Sequence, residues 1–274
     1  MRKTVLYTLD TPYREPLEIV GYEFGRPGAD PCAAIVGSMR GNEVEQAFAC
    51  ADLVRRLAVL EEKGELDPAK KILVIPCVNA FSMNIQERFW PVDKTDVNRM
   101  FPGYDKGETT QRIADGIFRA VRGFEYGIQL CSYYLRGDFQ PHVRVTETGP
   151  VTAQILEEAE DFGFPYVVDK EPSSFDTTTL NYNWQDWGTH AFSVYVHDMG
   201  SLSTRNAEEV EDAILRFLWT RGAVRARQEG DFKPTQLTES ELVDVRSERA
   251  GGFFLRDVEP GERVQAGQTL GQIL

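Results

Sequence analysis

The sequence predicts an α/β protein: a mostly parallel or mixed central sheet with helices on both faces, plus a small C-terminal β module. Three observations carry this. Short apolar runs alternate with segments of helical period through about residue 222, the mark of a sheet covered on both sides. The chain has 274 residues and is 42% hydrophobic, enough for a proper core. Beyond a polar, aperiodic stretch the tail changes character, with short apolar pairs between Pro-Gly and Ala-Gly turns.

Taken in order, residues 33–37, AAIVG, read as a central buried strand. A helix follows, with Val44, Ala47, Phe48, Ala51, Val54 and Leu57 on one face and a stop at Lys63-Gly64. KKILVIPCVN, residues 70–79, is a second buried strand. Residues 80–107 form a long loop whose five aromatics argue for order and whose length argues for function. A helix over 109–122 turns Ile113, Ile117 and Val121 inward, and GIQLCSYY, 127–134, is a strand. SSFDTTTLNYNWQDW, 173–187, has no period; it is a lid or pocket wall built on Tyr182 and Trp184, or else surface packing. In AFSVYVHDMG, 191–200, Phe192, Val194 and Val196 share one face and Ser193, Tyr195 and His197 the other. Asn206 caps a helix carrying Val210, Ile214, Phe217 and Leu218. The chain therefore divides into an α/β domain at 1–224, a linker at 225–240 and a small β domain at 241–274. The last resembles the first half of a lipoyl- or biotinyl-like barrel; no modifiable lysine sits at a hairpin tip, so no carrier role is expected.

A net charge of -13 argues against a nucleic-acid or anionic-membrane surface, though a few local arginines still suffice for a small anion. The opening MRKTVLYTLDTPYREP lacks a signal-peptide core, and no window approaches about 18 uninterrupted apolar residues. Cys32, Cys50, Cys77 and Cys131 are scattered without a C-x-x-C pair, which suits reduced thiols in a cytoplasmic protein. His142, His190 and His197 are the only histidines; His197 reads as an ordinary partly buried strand residue and His190 as a surface loop residue.

Two segments carry chemistry. In GSMRGNE, 37–43, a glycine-containing turn after a buried strand leads to Glu43 opening a helix, the way a zinc hydrolase presents a His-x-x-Glu pair. Arg40 stands at the histidine position, and a guanidinium neither loses its proton nor ligates zinc. In NAFSMNIQERFWPVDKTDVNRMFPG, 79–103, Asn98 and Arg99 can hold a carboxylate together, the arginine bidentately. The plainer alternative makes Arg88 and Arg99 structural ion pairs with Asp93 and Asp96.

Asn79, Arg88, Pro91, Asp93, Asp96, Asn98, Arg99, Phe101, Pro102 and Gly103 resemble, at matching spacing, the pattern of the succinylglutamate desuccinylase/aspartoacylase family, relatives of the zinc carboxypeptidases. The resemblance spans about residues 30–222, and the tail resembles that family's C-terminal β domain. It implies a zinc carboxypeptidase-like fold and a hydrolase cleaving an amide or ester bond in a carboxylate-bearing acyl amino acid. It further implies zinc as cofactor, a small-molecule substrate, and a homo-oligomer. By the same resemblance, Arg88 stabilises the oxyanion of the scissile carbonyl, and Asn98 with Arg99 anchors the substrate carboxylate. The family holds its metal with His-x-x-Glu and with a histidine in a later D-L-H-S strand. Arg40-Gly41-Asn42-Glu43 and Gln129-Leu130-Cys131-Ser132 stand at those places, so Glu43 alone keeps its identity. Cys131 can ligate as a thiolate, against the charge of Arg40, and His142 can supply a third ligand if its loop folds back. The general base matches Asp198, one methylene shorter than the family's glutamate, with Tyr195 and His197 as neighbours on the strand.

Three readings stay open. One is the family's hydrolase. Another is a metal-free pseudoenzyme that binds a carboxylate, with Arg40 in the vacated cation position paired to Glu43. The last is a hydrolase with Cys131 as nucleophile and His142 or His197 as base. All three place Arg40, Glu43 and Cys131 in one pocket at the carboxyl ends of adjacent strands.

Overall fold

Alternation along the central strands sorts their side chains into two separate cores. In the computed structural model, β3 (Asp30–Val36) sends Ala33 and Ile35 to one apolar cluster and Ala34 and Val36 to another. Strand β4 (Lys70–Ile75) does the same with Ile72 and Val74 against Leu73 and Ile75. Such double-sided burial requires a sheet with helices on both faces. The structure describes residues 1–10, 15–133, 139–149, 152–195, 202–226, 233–247 and 251–274.

The remaining elements are β1 (Arg2–Leu9), β2 (Leu17–Phe24), α1 (Val44–Glu62), α2 (Ala80–Asn84), α3 (Thr109–Val121), β5 (Tyr126–Cys131), β6 (His142–Thr146), α4 (Thr152–Ala159), β7 (Tyr166–Lys170), α5 (Leu180–Asp186), β8 (His190–Tyr195), α6 (Thr204–Thr220), β9 (Thr235–Thr238), β10 (Phe254–Arg256) and β11 (Gly271–Ile273). Among the described residues nine strands form one sheet in the order β1-β2-β4-β3-β5-β8-β6-β7-β9. Its centre, β4-β3-β5-β8, is parallel; β6 runs antiparallel to β8, and β1, β2 and β4 are joined antiparallel. Helices α1, α4 and α6 pack with the first cluster, α3 and α5 with the second. Strands β10 and β11 form a separate antiparallel pair. Among the described residues no helix is long and apolar enough to cross a membrane.

Five readings need correction. The inward face of α1 is Gln46, Ala49, Cys50, Leu53, Val54 and Leu57, while Val44 is exposed. The cause is Glu43: it is buried at the start of the helix, and residues three, seven and ten positions later fall beneath it. Helix α6 is capped by Ser203, whose Oγ accepts from the Asn206 backbone N–H at 3.3 Å. Residues 235–238, placed in the linker, form β9, a polar edge strand parallel to β7. Trp184 is fully buried against Gly127 and donates to the Val121 carbonyl at 3.2 Å, so it belongs to the core rather than to a lid. His190 is likewise no loop residue: it opens β8, and its Nδ1 lies 2.6 Å from Glu158.

Candidate functional site

The turn between β3 and α1 is built to hold one side chain. Ser38 takes a left-handed backbone (φ 37°) and is fixed by its carbonyl, which accepts from Val78 and Asn79, and by its Oγ, which donates to the Arg40 carbonyl at 3.0 Å. Gly41 passes so close to the 82–88 segment that a Cβ there would lie 2.3 Å from the Glu87 carbonyl oxygen. Arg40 is thereby directed inward. Its Nη1 lies 3.1 Å from Glu43 Oε1, and its Nη2 and Nε lie 2.8 and 3.0 Å from Asp96 Oδ2. The Arg40 and Glu43 side chains are 9% and 0% exposed, so this is a buried ionic cluster. Glu43 also accepts from Ser132 Oγ at 2.6 Å and from its own turn's Arg40 N–H at 2.9 Å. Burial works against the Arg40 charge, but Glu43 and Asp96 outweigh it and raise its pKa.

Most of segment 79–103 holds this cluster in place. Asn79 caps α2 by accepting from Ser82 N–H, and Asp96 Oδ1 accepts from Asn98 N–H while Oδ2 takes Arg40. Trp90 and Phe101 are core residues, and Gly103 (φ 93°) abuts Asp115 where no Cβ fits. Asp93 accepts from Thr95 and Thr110. The plainer pairing of Asp93 and Asp96 with Arg88 and Arg99 is therefore not the one found. Arg88, Asn98 and Arg99 turn to an open cleft. Asn98 is nearly buried and accepts from Leu180 N–H through Oδ1. Arg99 is half-exposed at the rim, donating to the Phe175 carbonyl and lying 4.0 Å from Asp176.

The cleft has a volume of about 500 Å³. Its floor is one face of the sheet: Gln129 and Cys131 from β5, Ser193 and Tyr195 from β8, Arg144 and Thr146 from β6. Among the described residues, Arg40, Arg88, Arg99, Arg144 and Lys170 line it against only Asp96 and Asp176, a local cationic excess in a chain of net charge -13. Both carboxylates are paired, Asp96 with Arg40 and Asp176 with Lys170 at 2.7 Å. Arg40 and Cys131 share this cleft with Glu43 directly behind Arg40, as the strand order requires.

The described residues do not fit a zinc ion. Arg40 occupies the approach to Glu43, and every contact of that carboxylate named above comes from a hydrogen-bond donor. Burial pushes the Cys131 thiol up to about 12, Glu43 adding to the rise and Arg40 opposing it. A thiol in that state is protonated, and so a poor nucleophile, near neutral pH. His142 does not fold back as a third ligand: Nδ1 lies 3.0 Å from the Gln140 carbonyl and Nε2 2.9 Å from the Tyr133 hydroxyl. Among the described residues no three His, Cys, Asp or Glu side chains are grouped to hold a metal. His197 and Asp198 lie outside the described residues.

Ser132, Tyr133, Arg144 and Asp96 as the partner of Arg40 were not singled out from sequence. Ser132 had a signal, since it follows Cys131 and shares its strand end. Arg144 had one too, two residues beyond His142 in a strand.

The model of the succinylglutamate desuccinylase/aspartoacylase catalytic domain matches residues 29–220. The N-alpha-acetyl-L-2,4-diaminobutyric acid deacetylase of Halomonas elongata is 28% identical over 144 residues, 52% of this chain and 40% of that protein, so the match spans less than half of the relative's length. The crystal structure of a succinylglutamate desuccinylase/aspartoacylase from Rhodobacter sphaeroides superposes with a TM-score of 0.79 at 22% identity, covering 99% of this chain and 83% of the other. The product-bound ectoine utilization protein EutE from Ruegeria pomeroyi gives 0.79 at 21% identity, over 99% and 82%.

Proposed function

The chain belongs to the succinylglutamate desuccinylase/aspartoacylase family, and from that premise we propose that it binds a small carboxylate-bearing molecule of the acyl-amino-acid type in the cleft. The observation that carries this is Arg40. Its guanidinium stands at the family's first metal-ligand position and is bonded to both Glu43 and Asp96. A fixed guanidinium attracts and orients an anion, but it cannot lower the pKa of water as a metal ion does. Asn98 and Arg99 anchor the carboxylate from the rim, and Arg88 contacts the carbonyl of the acyl link. Every arginine named donates only, which matches an acceptor-rich ligand.

A second reading, deacylation, is favoured by the family itself, whose named relatives include a deacetylase and desuccinylases. In that reading the Asp198 segment supplies the base. One experiment addresses both. Protein purified without chelator is assayed for metal by mass spectrometry, then titrated calorimetrically with N-acetyl and N-succinyl amino acids while products are followed by chromatography. Binding with no stoichiometric zinc and no turnover is the expected result. Turnover that tracks one zinc per chain would sink the binding-only reading. The double variant Arg40→His, Cys131→His should gain zinc, because it supplies two imidazole ligands beside Glu43 and removes the repelling charge.

A further inference from the structure

Among the described residues, no carboxylate pairs with Arg144 in the cleft. Arg40 has Glu43 and Asp96, and Arg99 and Lys170 share Asp176. Arg144, on β6, has no carboxylate within ion-pair distance among the described residues, and Glu239 acts on it only from farther away. Its guanidinium lies 4.6 Å from the Tyr195 ring centroid and 5.8 Å from that of Tyr133, against two adjoining aromatic rings. Polar contacts are sparse: Nη1 to Tyr195 Oη at 3.5 Å and Nη2 to Tyr133 Oη at 3.4 Å, both long, while Nε is buried and has no hydrogen-bond partner among the described residues. A largely desolvated guanidinium in this state is costly unless an anion completes it.

The neighbours fix which atoms remain to meet that anion. A carbonyl only accepts, so His142 Nδ1 carries the proton toward Gln140 and Nε2 presents a lone pair. Tyr133 therefore donates its hydroxyl proton to His142 and offers Arg144 only an acceptor oxygen. Tyr195 Oη also faces Arg144 as an acceptor, which leaves its own O–H to be donated. The His142 and Tyr195 rings stack in parallel at 5.0 Å and hold this geometry. Arg144 thus presents N–H donors beside a Tyr195 O–H donor, on the floor of the cleft. Asn98 and Arg99 come from a different element, the 97–99 turn, with Arg99 half-exposed at the rim.

We propose that Arg144 and Tyr195 form a second anion subsite, so the molecule taken by this cleft carries two separated acidic groups. The inference rests on the carboxylate-binding reading above and adds the second charge. Simple dicarboxylates test it without knowledge of the natural ligand. Succinate, glutarate and adipate are titrated calorimetrically against their mono-amides, with wild type, Arg144→Met, Arg144→Lys and Arg99→Ala. At least one diacid should bind wild type about tenfold or more tightly than its mono-amide, the worth of one charge-assisted contact. Arg144→Met should abolish that preference while keeping mono-amide binding, and Arg144→Lys should keep part of it. Arg99→Ala should weaken both members of each pair. Equal binding of diacids and mono-amides by wild type overturns the second subsite and leaves the first intact. A preference that survives in Arg144→Met overturns the assignment to Arg144. Failure of every acid to bind at millimolar concentration overturns the carboxylate-binding reading and this inference with it. Unfolding midpoints of the variants show whether each one is folded when titrated.

Discussion

Strands β5, β6 and β8 present two faces that obey one geometry and opposite chemistry. One carries Ile128, Leu130, Val143, Val145, Phe192 and Val194, each at most 1% exposed, packed under the helices. The other carries Gln129, Cys131, Arg144, Thr146, Ser193 and Tyr195, open to the cleft. Successive side chains alternate sides, so the two sets differ by one position along the same backbone. The apolar face stabilises the fold by removing area from water. The polar face gives up that gain, and its buried charges are tolerable only because partners are supplied: Glu43 and Asp96 to Arg40 on the wall, and, in the proposal above, a ligand to Arg144 on the floor.

The largest effect expected on this contrast is Arg40→Ala. It strips the cation from two carboxylates at once and should destabilise at the upper end of roughly 3–5 kcal/mol, read from denaturant unfolding. A loss below about 1 kcal/mol would mean the cluster is hydrated and the polar face costs little. On the other face, Phe192→Ala should cost about 3–5 kcal/mol through the cavity it opens beside Phe162 and Phe217, with ligand affinity unchanged. Altered affinity would show that the two faces are mechanically coupled.

His142 sharpens the comparison through pH. Burial pushes its pKa down to about 4, helped by Arg144 and opposed by the Gln140 carbonyl. The unfolded chain then takes up the proton first. Its contribution is full above about pH 6.5 and is lost as pH falls toward 4, a span worth about 3 kcal/mol. His142→Phe should flatten that part of the stability–pH curve; an unchanged slope would place the acid sensitivity elsewhere. The smallest effect belongs to Cys131→Ser. With the thiol protonated, ligand affinity and stability should change by less than about 1 kcal/mol. Alkylation of Cys131 by iodoacetamide at neutral pH would contradict the protonated state and revive the nucleophile.

Several parts of this molecule were legible residue by residue. The period of Ile113, Ile117 and Val121 does define the inner face of α3, and the alternation of Phe192 and Val194 with Ser193 and Tyr195 does separate core from cleft. The Arg40–Glu43 pair follows from their spacing at a helix entrance. Other parts were not. Asp96 reaches Arg40 from 56 positions away, Ser132 reaches Glu43 from 89, and Leu180 donates to Asn98 from 82. Segment 79–103 matched a pattern, yet the sequence could not say which of its residues face a ligand and which merely hold the turn.

Local periodicity and turn chemistry act within a few residues, so the sequence by itself determined the alternating strands and helices, the apolar faces, the family pattern and the arginine at a metal-ligand position. Which polar side chains meet was decided by the strand order β5-β8-β6, which sets β6 antiparallel beside β8 and brings Arg144 and His142 over Tyr195. Contacts between distant positions depend on how the sheet closes, and their energies of burial and pairing exist only once it has closed.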